Sequence, residues 1–311
     1  MLSIRTAAIS LILTALLVVL SSRQISILSQ GSEPAITLVA AGDVLFARSV
    51  GTKISRYGKD WPFQKVASTI RSADIAFCNL ECPLSAKGIK VNKLICFKAD
   101  PANVKCLTNA GFDIVSLANN HALDCSRTGL TETMRVLDKA GIAYTGSGKT
   151  LADAAQPTIL EVKGVKVAFL ARNAWMPEST WYRQDVPGIA PLESSAIEQE
   201  IRDAKSKADV VIVSLHWGVE YSKTPSEEQV KLAHKMIDAG ADLVLGHHPH
   251  VTQKIEKYHG GVIAYSLGNF LFDSRNPLCM DSMILKCRLS KSGVSFPQAI
   301  PVRIADYLPV L

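Results

Sequence analysis

Three times along this chain a helical pattern ends in Ala-Gly and a short apolar run follows at once: Ala110-Gly111, Ala140-Gly141 and Ala239-Gly240. A glycine just past a helix supplies the left-handed turn that stops it. Repeated helix–strand alternation needs helices packed on the faces of a sheet, so the chain reads as an α/β layered sandwich. The junctions are irregularly spaced, which argues against a solenoid of repeats. The clearest helix covers residues 226–239: Ser226 and Gln229 form a capping box, and Val230, Ala233 and Ile237 make the apolar stripe. Similar patterns predict a helix over 101–110 and another carrying Leu130, Met134 and Leu137. Strands are expected over 36–41, 75–78, 112–118, 142–144 and 242–245, and the tail at 283–289 and 299–304 is strand-like.

With 311 residues, 48% of them hydrophobic, the chain can bury a large core. The net charge of +6 is spread along the sequence without basic blocks interleaved with aromatics, so no nucleic-acid partner is expected. Arg5 precedes an uncharged stretch over residues 6–22, rich in Leu and Val, that Arg23 ends. That length lies at the lower edge of the roughly 17–25 residues of a spanning helix. No A-x-A-like cleavage site follows Leu20, and a core helix fits poorly with a terminal run followed by polar residues 29–34. The expectation is a single-pass anchor in the cell membrane, with Arg5 cytoplasmic and the main domain extracytoplasmic. Secretion after signal cleavage is the alternative. Residues 1–28 are then the anchor or signal segment, 29–35 a linker and 36–311 one domain. The odd count of seven cysteines leaves at least one thiol unpaired, and most read as small buried hydrophobes.

The chemistry gathers where strands end. Five strand-like runs finish in residues able to bind metal or move protons: Asp43; Asn79 with Glu81; Asn119-Asn120-His121; His216; and His247-His248-Pro249-His250. In open α/β sheets ligands bind beyond the carboxyl ends of the strands, so side chains far apart in sequence can meet there. Mixed carboxylate, amide and imidazole donors suit Mn, Fe or Zn, one ion or two, better than Mg. If the segment is extended, His248 and His250 point the same way. His234, mid-helix, and His259, in a Gly-rich turn, read as structural or exposed. Trp175, Trp181 and Tyr182, in the Pro-containing stretch 172–191, are either a lid over the site or packing. Arg172 and Arg183 beside them read as solvated surface, or as partners for an anionic substrate.

These runs resemble the successive motifs of the CapA family of poly-γ-glutamate capsule proteins, within the calcineurin-like metallophosphoesterase superfamily. The motifs are Gly42-Asp43, Asn79-Leu-Glu81, Ser-Leu-Ala-Asn-Asn-His-Ala-Leu-Asp over 116–124, His216-Trp-Gly-Val-Glu220, Gly-His-His-Pro-His over 246–250 and Tyr-Ser-Leu-Gly-Asn-Phe over 265–270. The resemblance spans residues 36–273 and implies a four-layer α/β/β/α sandwich with a metal site at one edge of the sheets. It implies Asp43, Asn120, His216, His248 and His250 as metal ligands, with Asn79 where a bridging carboxylate would stand. Glu81 would be a substitute ligand, and Glu220, Asn119, His247 and Asn269 substrate or supporting groups. His121 would be the acid near the leaving group. Asp124 would either orient its ring or cap the next helix.

The sequence departs from the superfamily's Asp-x-His opening: Asp43 is followed by Val44 and Leu45. The family's partners would be an anionic polymer, poly-γ-glutamate, or a phosphoester, together with membrane synthase subunits. Three functions follow from the resemblance: a metal-dependent hydrolase, a non-catalytic polymer-binding or synthase-associated subunit, and a general extracytoplasmic metallophosphatase.

Overall fold

The computed structural model describes residues 33–175 and 183–311; the predicted anchor run, Trp181 and Tyr182 lie outside them. The folded unit is Ala35–Leu311. It opens with β1 (Ala35–Val44), α1 (Arg48–Tyr57), α2 (Ala67–Arg71), β2 (Ile75–Leu80) and α3 (Val104–Ala110). Next come β3 (Ile114–Ser116), α4 (Ser126–Ala140), β4 (Ala143–Thr145), β5 (Ser147–Gly148), α5 (Leu151–Ala155), β6 (Thr158–Val162) and β7 (Val165–Asn173). After β8 (Gly188–Ile189), the elements are α6 (Ile197–Lys205), β9 (Val210–His216), α7 (Glu227–Asp238), β10 (Leu243–His247), β11 (Ile255–Tyr258) and β12 (Gly261–Ala264). Strands β13 (Asn269–Leu271), β14 (Asp281–Ser290), β15 (Gly293–Ala305) and β16 (Leu308–Val310) complete it.

Two sheets carry the architecture. One runs β16-β15-β14-β1-β2-β3-β4, with β13 also paired to β1; the other runs β11-β12-β10-β9-β7-β6. Strands in the middle of both sheets are buried on two faces, which is why they read as continuous apolar runs rather than alternating ones. In β1, Ile36, Leu38 and Ala40 face the second sheet together with Phe77, Phe169, Ile212 and Leu245. Val39 and Ala41 face the opposite way, against Val50, Ile70, Leu107 and Leu137 from helices α1 to α4. Beyond the second sheet, Leu170, Val213 and Val244 pack on Ile201 of α6 and Met236 of α7. Three apolar interfaces therefore separate four layers, α/β/β/α, as the resemblance implied.

The Ala-Gly junctions behave as expected: Gly111, Gly141 and Gly240 have φ of 91°, 71° and 113°. The capping box is formed, with the Ser226 hydroxyl accepting from the Gln229 amide and the Gln229 side chain accepting from Ser226 N. Two strand boundaries differ from the sequence reading, and both matter for the site. Strands β1 and β2 continue through Asp43 and Asn79, so these residues sit inside the ladder rather than beyond it. The run 112–118 forms a strand only over Ile114–Ser116, freeing the rest to carry the Asn-Asn-His loop. All seven cysteines are free, and every one except Cys96 is buried.

Candidate metal centre

Strand register does most of the gathering. In the first sheet Asp43 lies opposite Asn79 on one side and Asn269 on the other. In the second sheet His216 lies opposite His247. Alternation carries three of these side chains into the space between the sheets: Asn79 follows Ile75 and Phe77, His216 follows Val210 and Ile212, and His247 follows Leu243 and Leu245. Asp43 is the exception, since Val39 and Ala41 of the same parity face the helices. The β1 ladder shifts register between Ala40 and Asp43, and such a bulge re-aims the side chain toward its partners. Gly42 makes this fit: a Cβ there would come within 1.9 Å of the Gly268 carbonyl oxygen.

Asp43 is fully buried at the centre of the cluster. Its Oδ1 accepts from Asn79 Nδ2 at 2.9 Å, and His250 Nδ1 lies 3.4 Å from its Oδ2. His247 Nδ1 is 3.3 Å from Oδ1, without the alignment of a full hydrogen bond. Burial opposes ionisation of Asp43, but the contacts of His247 and His250 outweigh it and hold the carboxyl well below its usual range. Glu81 is the opposite case. Neither of its buried carboxylate oxygens has a hydrogen-bond partner, and burial together with the charge on Asp43 pushes its pKa well up.

Around that carboxylate stand three imidazoles. The Nε2 atoms of His121, His216 and His250 each lie 3.9 Å from Glu81 Oε1. Two donors bound to one cation at ordinary distances near 2.1 Å can stand up to about 4.2 Å apart, so the spacing suits a shared ion. His248 is also buried with neither ring nitrogen partnered. Among the described residues, two sets have ligand atoms close enough to share an ion: Asp43, Glu81 and His250; and Glu220, His248 and His250. A buried polar atom left without a partner costs about 1–3 kcal/mol, so their concentration here is what a cation would relieve. The residues present therefore fit a divalent metal.

Supporting contacts set the ring orientations. Asn269 Oδ1 accepts from His250 Nδ1 at 2.9 Å, which turns Nε2 toward Glu81. Burial opposes charge on His250, but Glu81 and Asp43 outweigh it and raise its pKa to about 9. Burial and the neighbouring His250 instead press His248 down to about 3, and burial with His248 lowers His216 well below the usual range. His216 Nε2 is 3.1 Å from Asn120 Oδ1. Asn79 turns its amide nitrogen toward Asp43, and its oxygen accepts from Asn119 Nδ2 at 3.1 Å. Asn79 thus serves the cluster as a donor, where the resemblance had put it in a bridging ligand's place. Asn119 ties the loop down, donating also to the Leu80 carbonyl and accepting from His121 N.

His121 belongs to a second group, held through its Nδ1. Its Nδ1 lies 2.6 Å from Asp124 Oδ2, and Phe97 stacks on the ring at a centroid distance of 4.0 Å. Asp124 also accepts from Phe97 N at 2.6 Å and from Lys93 Nζ at 2.9 Å. It therefore orients His121, while α4 begins after Cys125 with no side-chain cap. Burial is the larger influence on His121 and lowers its pKa despite Asp124.

Several expectations need correction. The 248–250 segment is not extended: His248 and His250 have φ of 95° and 58°, and a tight left-handed turn brings their rings to 5.7 Å. Arg172 is not surface but buried, donating to Glu200 and to the carbonyls of Ala155 and Ala171. Trp175 packs against His248 at 4.8 Å and donates to the Gly218 carbonyl, so this aromatic adjoins the site. His234 pairs with Glu256 and His259 with Asp238, away from the centre. Lys93, Phe97, Arg48 and Arg275 were not singled out from sequence. Arg48 stacks over Phe97 and pairs with Asp273. Arg48 and Arg275 both line a cavity of about 250 Å³ that reaches His121, Glu220, His250 and Asn269.

Four such layers, with carboxylates and imidazoles collected at the strand ends, define a protein of metallophosphoesterase-like fold. The NAD nucleotidase NadN of Haemophilus influenzae shares it, with a TM-score of 0.55 at 12% identity over 88% of this chain and 51% of that one. The chain belongs to the family described as bacterial capsule synthesis protein PGA_cap, which it matches over residues 37–274. It is 34% identical over 281 residues to the PGA biosynthesis protein CapA of Bacillus subtilis, covering 89% of this chain and 74% of that protein. It is 33% identical over 282 residues to the capsule biosynthesis protein CapA of Bacillus anthracis, covering 88% and 69%.

Proposed function

We propose that this chain acts in capsule biosynthesis as a metal-dependent hydrolase of a phosphoester-like bond, working on or beside anionic poly-γ-glutamate. The observation that carries the reading is Glu81: a buried, unpartnered carboxylate with three imidazole Nε2 atoms 3.9 Å from one of its oxygens. Asp43, Glu81, His216, His248 and His250 would hold the ion, with Glu220 and Asn120 at its margin. Mixed oxygen and nitrogen donors favour Mn, Fe or Zn, and the two ligand sets that share His250 offer places for one ion or two. A divalent cation bound there would act as a Lewis acid and make a water nucleophilic near neutral pH. Protonated on both nitrogens, with Nδ1–H donated to Asp124 and the ring plane fixed by Phe97, His121 would give its Nε2 proton to the leaving oxygen and be left as the neutral imidazole. Arg48 and Arg275 at the cavity mouth attract an anionic substrate.

The apolar run over residues 6–22 supports a membrane anchor, with the domain extracytoplasmic and able to meet membrane synthase subunits; secretion after cleavage is the alternative. Among the described residues no helix is long and apolar enough to cross a membrane.

A second reading, a non-catalytic polymer-binding or synthase-associated subunit, is favoured by Leu45. It stands where an active phosphoesterase of the superfamily carries histidine, and it is fully buried. Turnover of a chromogenic phosphoester by Mn-, Fe- or Zn-loaded protein decides between them. The hydrolase reading predicts activity that chelation abolishes and metal restores. Metal-replete protein with no turnover on any phosphoester tried would move the assignment to the binding subunit.

A further inference from the structure

Away from the metal centre, a cavity of about 420 Å³ opens along α4, lined by Lys87, Arg127, Thr128, Thr131, Glu132 and Arg135, with Pro187 as a wall. Its charges are mostly of one sign. Glu132 is its acidic lining residue, and one oxygen of that carboxylate is committed to Ser85 Oγ and the amides of Ala86 and Lys87. The other oxygen lies 3.7 Å from Arg135 Nη2. Arg183 adds a further positive charge, close enough to Arg127 that, after burial, it depresses that guanidinium's pKa.

The spacing narrows the ligand. Arg127, Thr131 and Arg135 are four residues apart on one helix, so they recur along one face about every 6 Å, given the rise of about 1.5 Å per residue. An α-linked peptide covers about 3.5 Å per residue with three backbone bonds. A γ-linked glutamate has five such bonds, so an extended chain places one α-carboxylate about every 6 Å by the same geometry. We infer that this groove binds γ-linked polyglutamate running along α4, with same-side carboxylates two repeats, about 12 Å, apart on Arg127 and Arg135 and the intervening one turned to solvent. The inference rests on the capsule reading above and gives the polymer a seat separate from the metal centre.

Binding of a short, fluorescently labelled γ-linked glutamate oligomer to the full chain tests it. Arg127→Ala with Arg135→Ala should weaken binding at least about tenfold, since each charge-assisted hydrogen bond removed is worth about that factor. The paired Arg→Lys variant should fall between wild type and this. An α-linked oligomer of equal length should bind about tenfold more weakly, and His248→Ala with His250→Ala should bind as wild type does. Unchanged thermal melting would show that the variants fold. Wild-type affinity in the Arg→Ala pair, or equal affinity for the α-linked chain, overturns the inference. So does displacement by inorganic polyphosphate at much lower concentration, which would make the groove a phosphate site. If only the histidine variant loses the oligomer, the polymer enters the metal pocket: the capsule reading then stands and this groove does not.

Discussion

Glu81 and His121 approach to 3.9 Å, yet they belong to clusters that handle burial in opposite ways. Around Asp124 the polar groups are answered: it takes His121 Nδ1, the Phe97 amide and the Lys93 ammonium together. Around Glu81 the answers are missing, since both its oxygens and both ring nitrogens of His247 and His248 lack hydrogen bonds. A satisfied network fixes a proton at a chosen atom and holds a ring still. An unsatisfied one is costly to the fold and is worth keeping only where something binds. On the function proposed above, the first cluster would handle the proton and the second would bind the cation.

Mutations should separate them. The largest effect is expected from His248→Ala with His250→Ala, which should lower metal affinity at least about 100-fold and abolish metal-dependent turnover, read by elemental analysis and a phosphoester assay. Asp124→Asn should spare metal content but cut turnover about 100-fold, because the acid loses its fixed tautomer; loss of metal there would merge the clusters into one. Glu81→Gln should sharpen the contrast in the other direction. Without metal the variant should be more stable than wild type in chemical denaturation at neutral pH, because it exchanges a carboxyl whose ionisation burial and Asp43 oppose for an amide that carries no charge. Added metal should reverse the order.

The smallest effect is expected far from the site, at Glu256, where Lys254 first and then His234 and Tyr265 lower the carboxyl to about 2 despite partial burial. The folded-state pKa lies below the ordinary 4.5, so the stabilisation is complete above that value and is lost as pH falls through about 2. Solvent screens this half-buried group, so Glu256→Gln should cost no more than about 1 kcal/mol at neutral pH. The difference from wild type should shrink in acid melts.

The layers were legible because local signals and packing agree. Gly111, Gly141 and Gly240 stop helices wherever they occur, and strands buried on both faces write themselves as apolar runs. Asp43, His216 and the 247–250 histidines were legible for the same reason, since they close such runs. Their mutual geometry was not. The bulge that turns Asp43 between the sheets leaves no mark beyond Gly42, and the left-handed turn at His248 and His250 runs against residue preference. Lys93 and Phe97 were missed because they reach the site from an irregular loop, about thirty residues from Asp124 in sequence and without periodicity. Asp124 itself allowed two readings, ring partner or helix cap, and only the hydrogen bonds chose the first.

The central claim is that Glu81, with Asp43, His216, His248 and His250, forms a cation site. It is tested most directly by metal content of untagged protein prepared without chelators, paired with thermal melting before and after metal is added. The account predicts near-stoichiometric Mn, Fe or Zn, and a rise in stability of about 4 kcal/mol at a thousandfold excess over the dissociation constant. Well-folded protein that remains metal-free after reloading, with an unmoved melting transition, would contradict it.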